Sequence, residues 1–311
     1  MQKGDLLKKR LIAVTGKGGV GKSVVSAALA LAMASKGRRV LVASMHRGVR
    51  TAGFFGAPTA SGELFPVQEN LWAVNVTPQA SLHEYGLMIL KFERLYRAVF
   101  EDRLVKYLLE ALPSLEELVM FGKTWFHAQE KWKDGSSRFD TVIMDCQATG
   151  HAISMLSLPG TIAEAAPPGP LKSKAQEMHS MLTERGGSAM CIVSTPEEMP
   201  VNEASMLWNA NRESIGIPDC CLAMNRVIDP LFDDGELEGL GADLAPMVGT
   251  AVRCARLRKT AASNQSAHIR RAGEELPPPV FSLPELYTRD FGMVEAERLA
   301  KRILEGGVGR K

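Results

Sequence analysis

The sequence predicts an α/β protein: a doubly wound, mostly parallel sheet with helices on both faces and a helical insert. Three observations carry this expectation. Short apolar runs alternate with longer amphipathic or Ala-rich runs along nearly the whole chain. The short runs are continuously apolar, as strands buried on both faces require. The first of them passes through a Gly-rich loop directly into an Ala-rich helix. With 45% hydrophobic and 23% charged residues over 311 positions, the chain has an ordinary globular composition, which excludes a mainly disordered protein.

Leu11-Ile12-Ala13-Val14 reads as the first strand, Thr15 to Gly21 as a loop, and Lys22 to Lys36 as a helix stopped by Gly37. Val40 to Ala43 is a second strand, and Trp72 to Val76 another. From Leu82 to Lys133 the pattern is helical only, with a capping box at Ser114 and Glu117 behind Pro113. Strands resume at Thr141 to Met144, Ala189 to Val193, Cys221 to Met224 and Val280 to Ser282, and Val294 to Leu304 closes with a helix. The expected organisation is one domain over residues 1–311, with residues 82–133 as a helical insert subdomain. The proline clusters at Pro167 to Pro170 and Pro277 to Pro279 are turns, not linkers.

Several function classes are disfavoured at once. Lys+Arg number 37 against 35 Asp+Glu, so a net charge of +2 gives no strong pull toward nucleic acid. The most apolar stretch, Val24 to Ala34, is far shorter than the ~20 residues that a bilayer requires. The basic start, with Lys3, Lys8, Lys9 and Arg10, precedes an apolar run too short for a signal peptide. Five cysteines without a CxxC indicate neither a zinc clip nor a disulfide framework. The expected location is the cytoplasm.

The chemistry concentrates in Gly16-Lys17-Gly18-Gly19-Val20-Gly21-Lys22-Ser23, which fits G-x-x-x-x-G-K-[ST] between a strand and a helix. Glycines allow successive backbone N–H groups to face phosphate oxygens, and the helix start adds partial positive charge. In that pattern Lys22 bridges the β- and γ-phosphates and the Ser23 hydroxyl ligates Mg²⁺. A second cluster, Asp145-Cys146-Gln147-Ala148-Thr149-Gly150-His151, follows an apolar strand. A carboxylate there is placed to act on Mg²⁺ through water, so the expected cofactors are ATP and Mg²⁺.

Lys17, the second residue of the loop, makes the motif resemble the deviant Walker A of the MinD/ParA, nitrogenase-iron-protein and arsenite-pump ATPases. Asp145 to His151, with Leu156-Ser157-Leu158-Pro159, is similar to the D-T-A-P-T-G-H…L-S-L-P segment of the arsenite-pump (ArsA-type) and tail-anchored-protein-targeting ATPases. Ser194 to Val201 resembles that family's T-T-P-E-x-x-x-V, and Met224-Asn225-Arg226-Val227 its V-N-R-V. Leu283-Pro284-Glu285 sits where the family places its C-terminal adenine loop. The resemblance runs from about Leu11 to Leu304. It implies a P-loop ATPase that couples nucleotide state to partner or cargo binding through a dimer. Lys17 would reach the partner's nucleotide, Asp145 would serve metal and switch, and Asn225 would read the adenine edge.

Two positions depart from the family pattern. His46 occupies the place of the aspartate expected to polarise the attacking water. As an imidazole it would serve as a base near its ordinary pKa of about 6.5, contact phosphate with Arg47, or do neither. Val24 stands where Ser or Thr usually bonds the α-phosphate, which weakens the site by one hydrogen bond. The resemblance therefore implies a homodimer or a heterodimer with a paralogous ATPase, and a hydrophobic protein cargo or a membrane partner. Met88, Met120, Met155, Met178 and Met181 are candidates for a cargo groove or, at helical spacing, for core. The alternatives are a non-catalytic nucleotide-binding subunit and a ParA-like positioning ATPase. The basic run Arg253, Arg256, Arg258, Lys259, Arg270 and Arg271 bears on the latter, but in a nearly neutral chain it reads as a solvated or subunit-facing surface.

Overall fold

A computed structural model describes residues 3–45, 51–56, 62–90, 115–229, 231–232, 235–236 and 246–305. Its strands are β1 (Leu11–Gly16), β2 (Val40–Ser44), β3 (Leu64–Gln68), β4 (Leu71–Asn75), β5 (Thr141–Ala148), β6 (Ser188–Ser194), β7 (Cys220–Val227) and β8 (Pro279–Pro284). They form one sheet in the order β3-β4-β2-β5-β1-β6-β7-β8. Each neighbouring pair is parallel except β3 with β4. The predicted α/β architecture is the one observed.

Successive residues of each strand point to opposite faces, so each central strand feeds two cores. On one face Leu11, Ala13, Leu41, Val142, Met144 and Ile192 pack under α5 (Leu115–Gln129), α6 (Thr149–Ala165), α7 (Pro170–Thr183) and α8 (Glu198–Ala210). On the other, Ile12, Val14, Val42, Ile143 and Val193 pack under α2 (Lys22–Ala34) and α10 (Met293–Glu305). The remaining helices are α1 (Lys3–Leu6), α3 (Thr51–Phe54), α4 (Pro78–Leu90) and α9 (Pro246–Glu275). A π-helical turn, Asn211–Ile215, extends α8.

The order of the strands places the site. From β1 the chain departs past β5 to reach β2, whereas from β5 it crosses β1 to reach β6. The connections thus diverge at the carboxyl ends of β1 and β5 and leave a crevice there, which is where open α/β sheets bind ligands.

Differences from the predicted elements are local. β3 was not anticipated. It is a partly exposed edge strand whose apolar run, Leu64 to Val67, is interrupted by Pro66, and a proline inside such a run argues against a strand anywhere but at an edge. Asp145 lies within β5 rather than after it, and β7 carries Asn225 and Arg226 inside the strand. Pro113 and Ser114 of the capping box fall outside the described residues, as does the middle of the 82–133 segment, residues 91–114.

Met120 and Met155 are buried in the first core, and Met178 and Met181 pack against it, so these four methionines serve packing; the surroundings of Met88 lie outside the described residues. Cys146, Cys191, Cys220 and Cys221 are buried free thiols and Cys254 is an exposed one. Burial pushes the Cys220 thiol up to about 12. Among the described residues no cluster of three or more His, Cys, Asp or Glu could hold a metal ion, and no helix is long and apolar enough to cross a membrane.

Candidate nucleotide-binding site

The loop after β1 is shaped by close approaches that only glycine allows. Gly16 has φ +147°, and a Cβ there would overlap the Val193 carbonyl oxygen of β6. Gly16→Ala is therefore expected to cost at least about 2 kcal/mol, combining backbone strain with overpacking. A urea midpoint equal to that of the unmodified protein would contradict this. Gly21 has φ +91°, and a Cβ there would overlap the Asn225 side-chain amide. At Gly18 and Gly19 an added Cβ would meet nothing within 4 Å, so the crest of the loop faces open space.

Gly21 is also the N-cap of α2. It offers no side-chain cap, and the first turn of the helix carries no acidic residue. The N–H groups of that turn and their positive end are thus left for an anion from outside the helix. Lys22 is buried and folds back across the loop, its Nζ donating to the Lys17 carbonyl at 3.1 Å. Val20 is buried, and Val24 packs its apolar side chain against the α2-side core, with no hydroxyl to offer a phosphate.

Ser23 Oγ donates to Asp145 Oδ2 at 2.7 Å, and Ser26 Oγ to Asp145 Oδ1 at 3.4 Å. Asp145 is 0% exposed. β2 and β5 place Ser44 in register with Asp145, and β4 adds Asn75 beside Ser44. Ser44 Oγ, Asn75 Oδ1 and Thr15 Oγ1 are buried without a hydrogen-bond partner. An all-oxygen set around one hydroxyl–carboxylate pair suits a hard divalent cation that keeps most of its waters. The orphaned atoms at the same sheet edge suit a polar ligand as well, since buried polar groups otherwise find partners. The residues present therefore fit Mg²⁺ with a polyphosphate.

Lys17 forms an ion pair with Glu203 of α8 within its own chain. The other carboxylate oxygen of Glu203 accepts from Thr149 Oγ1 at 3.3 Å, and Thr149 opens α6. Glu203 was not singled out from the sequence, because a lone acidic residue on a predicted helix looks like a solvated one. Asn225 donates from Nδ2 to the Val20 carbonyl at 2.9 Å. Arg226 is held at φ +57°, its guanidinium 3.7 Å from the Glu285 carboxylate, and the Glu285 N–H donates to the Val227 carbonyl at 2.9 Å. Pro284 ends β8 opposite Val227. The structure thus brings together the loop residues, Asp145, Asn225 and, at the far end, Arg226, Pro284 and Glu285.

His46 lies outside the described residues. Its neighbour Met45 is buried, with its N–H donating to the Asp145 carbonyl at 3.1 Å and its carbonyl accepting from Gln147 Nε2 at 3.0 Å. Beyond the loop, His151 Nδ1 of α6 lies 3.1 Å from Glu117 Oε1 of α5.

Fold and site together define a nucleotide-binding α/β protein of the phosphate-loop class. Residues 9–167, just over half of the chain, match the family model described as anion-transporting ATPase, and the chain belongs to that family. Among curated relatives, the ATPase BagA of Mycobacterium tuberculosis is 27% identical over 201 residues, covering 62% of this chain and 58% of the relative. A protein of Halobacterium salinarum described as an arsenical pump-driving ATPase is 26% identical over 243 residues, covering 72% of this chain and 36% of its own length. The ATPase get3 of Schizosaccharomyces japonicus is 30% identical over 155 residues, covering 50% and 45%. The chain therefore spans between about a third and three-fifths of the length of these relatives.

Proposed function

We propose that this chain is an ATP-dependent switch: it binds Mg·ATP at the β1–α2 loop, hydrolyses it, and uses nucleotide state to open and close a dimer that engages a protein partner. The observation that carries this reading is the buried Ser23–Asp145 pair beneath a glycine loop whose helix is uncapped. Bound Mg²⁺ would supply charge neutralisation on the phosphates. Ser23 and Asp145 would hold it, the first directly and the second through water. Backbone N–H groups of Gly18 to Lys22 would bind phosphate oxygens, and Lys22 would swing from the Lys17 carbonyl onto the terminal phosphates. Asn225, Arg226, Pro284 and Glu285 would line the base end.

Lys17 is the element that would sense a second subunit. Held by Glu203 within its own chain, it has to exchange that carboxylate for phosphate before it reaches across an interface. Glu203 also touches the first residue of α6, so the exchange would free the segment that follows Asp145. The His151–Glu117 contact then relays a shift of α6 to α5, in the 82–133 segment that we assign as an insert within a single domain. The second subunit is a further copy or a paralogous ATPase, and the partner is a hydrophobic protein segment or a membrane protein, as the family resemblance implies.

The test is ATP turnover of the isolated chain beside light scattering with and without Mg·ATP. Turnover together with an ATP-dependent doubling of mass is expected, and Lys17→Ala should abolish the doubling while leaving ATP binding within about threefold. Tight ATP binding with neither turnover nor a homodimer would replace this reading with the non-catalytic half of a heterodimer. ATP-dependent, salt-sensitive binding to duplex DNA would replace it with a positioning ATPase.

A further inference from the structure

Between Met224 and Val227 the pairing of β7 with β8 shifts register, and Arg226 sits at the shift in a left-handed conformation. A ladder interrupted in this way needs other partners for its backbone groups. α9 supplies two from one side chain. Gln265 Nε2 donates to the Arg226 carbonyl at 3.0 Å, and Gln265 Oε1 accepts from the Ile228 N–H at 2.8 Å. A primary amide carries donor and acceptor in one plane, as a peptide unit does, so Gln265 serves as a one-residue surrogate strand. Seven residues earlier, on the same helix face, Arg258 Nε donates to the Asp229 carbonyl at 3.0 Å.

The clamped segment begins one residue after Asn225. Asn225 commits one Nδ2 N–H to the Val20 carbonyl, which fixes the plane and sense of the amide and leaves Oδ1 and the second N–H as the edge it can offer a ligand. A carbonyl oxygen fixed in that direction accepts from the exocyclic amine of adenine and repels the carbonyl at the same position of guanine. We infer that Gln265 is a positioning residue for the base end of the nucleotide site: by clamping Arg226 and Ile228 it holds the Asn225 amide in one orientation and so favours adenine nucleotides over guanine nucleotides. This rests on the nucleotide reading above and adds to it a positioning residue on a distant helix.

The experiment is calorimetric titration of ATP, GTP and inorganic tripolyphosphate, each with Mg²⁺, into the full chain and its Gln265→Ala and Gln265→Glu variants. The unmodified protein is expected to prefer ATP over GTP. In Gln265→Ala the loss of two hydrogen bonds should weaken ATP about tenfold and bring the ATP-to-GTP ratio toward one. Tripolyphosphate, which has no base, should bind all three proteins within twofold, which also reports that the variants are folded. Gln265→Glu keeps the acceptor for Ile228 but sets a carboxylate oxygen against the Arg226 carbonyl, so it should behave like alanine. An unchanged ATP-to-GTP ratio in Gln265→Ala overturns the inference, as does an equal loss of ATP and tripolyphosphate, which would make Gln265 a residue of the fold alone. An unmodified protein that binds tripolyphosphate without preferring ATP overturns the inference but leaves the phosphate loop standing. One that binds neither removes the proposed function and this inference with it.

Discussion

Lys22→Ala is expected to lower ATP turnover by at least about a hundredfold, the scale on which removing one preorganised charge-stabilising group acts. ATP affinity should fall more than about tenfold alongside it, because hydrogen bonds to a charged group contribute roughly 1.5–3 kcal/mol each. The side chain is buried against the Lys17 carbonyl, so its ammonium is already desolvated and aimed along the loop. Truncation removes that charge without touching the glycine conformations, and the melting temperature should move little. Turnover that survives in Lys22→Ala would locate the activity elsewhere, in another loop of this chain or in another protein of the preparation. Lys22→Arg is the stricter control, since a planar guanidinium does not replace a compact ammonium in a narrow loop.

Asp145→Asn should separate activity from stability. The carboxylate is 0% exposed and accepts hydrogen bonds from Ser23 and Ser26, with like-sized asparagine available to fill the same volume. The amide would lose the charge that we propose orients metal-bound water, and one of its two ends offers N–H groups to a serine hydroxyl in place of an acceptor. Turnover is expected to fall by at least about a hundredfold. Removing a buried charge relieves its desolvation penalty, so stability should hold or rise. ATP binding without Mg²⁺ should stay within about threefold. A turnover loss below threefold would falsify the metal assignment at Asp145. A large drop in the urea midpoint would show that the Asp145–serine contacts serve the fold instead.

The sequence was most legible where a short segment carries its own geometry. The glycine loop, the strand before it and the helix after it are contiguous, and β1 and α2 lie where the apolar run and the Ala-rich run place them. The continuous apolar strands were equally readable, because burial on both faces removes the polar alternation of an edge. β3 escaped because Pro66 falls inside its apolar run, a position that only an edge strand tolerates. Residues that matter by pairing across the fold were the least visible. Glu203 has meaning only because α8 brings it to Lys17, and Gln265 only because α9 brings it to the bulge after Asn225. Neither residue belongs to a motif, and 186 and 39 positions respectively separate them from the loop lysine and the backbone carbonyl they hold. Asn225 was found through its neighbours, but its bond to Val20 was not, because only the sheet order sets β7 beside the loop.

That sheet order also governs when the site comes into being during synthesis. The loop closes at residue 23, yet its walls are Asp145 of β5, Val193 of β6 and Asn225 of β7. Domains emerge from the ribosome from the N-terminus onward, and long-range strand pairing waits for its partners. A nascent chain carrying β1, α2 and β2 has every residue of the loop motif and none of the surfaces that shape it. Nucleotide therefore cannot template the early steps of folding. On the proposed reading it would select only chains in which the central strands have already paired, and would act on the finished fold as a stabilising ligand.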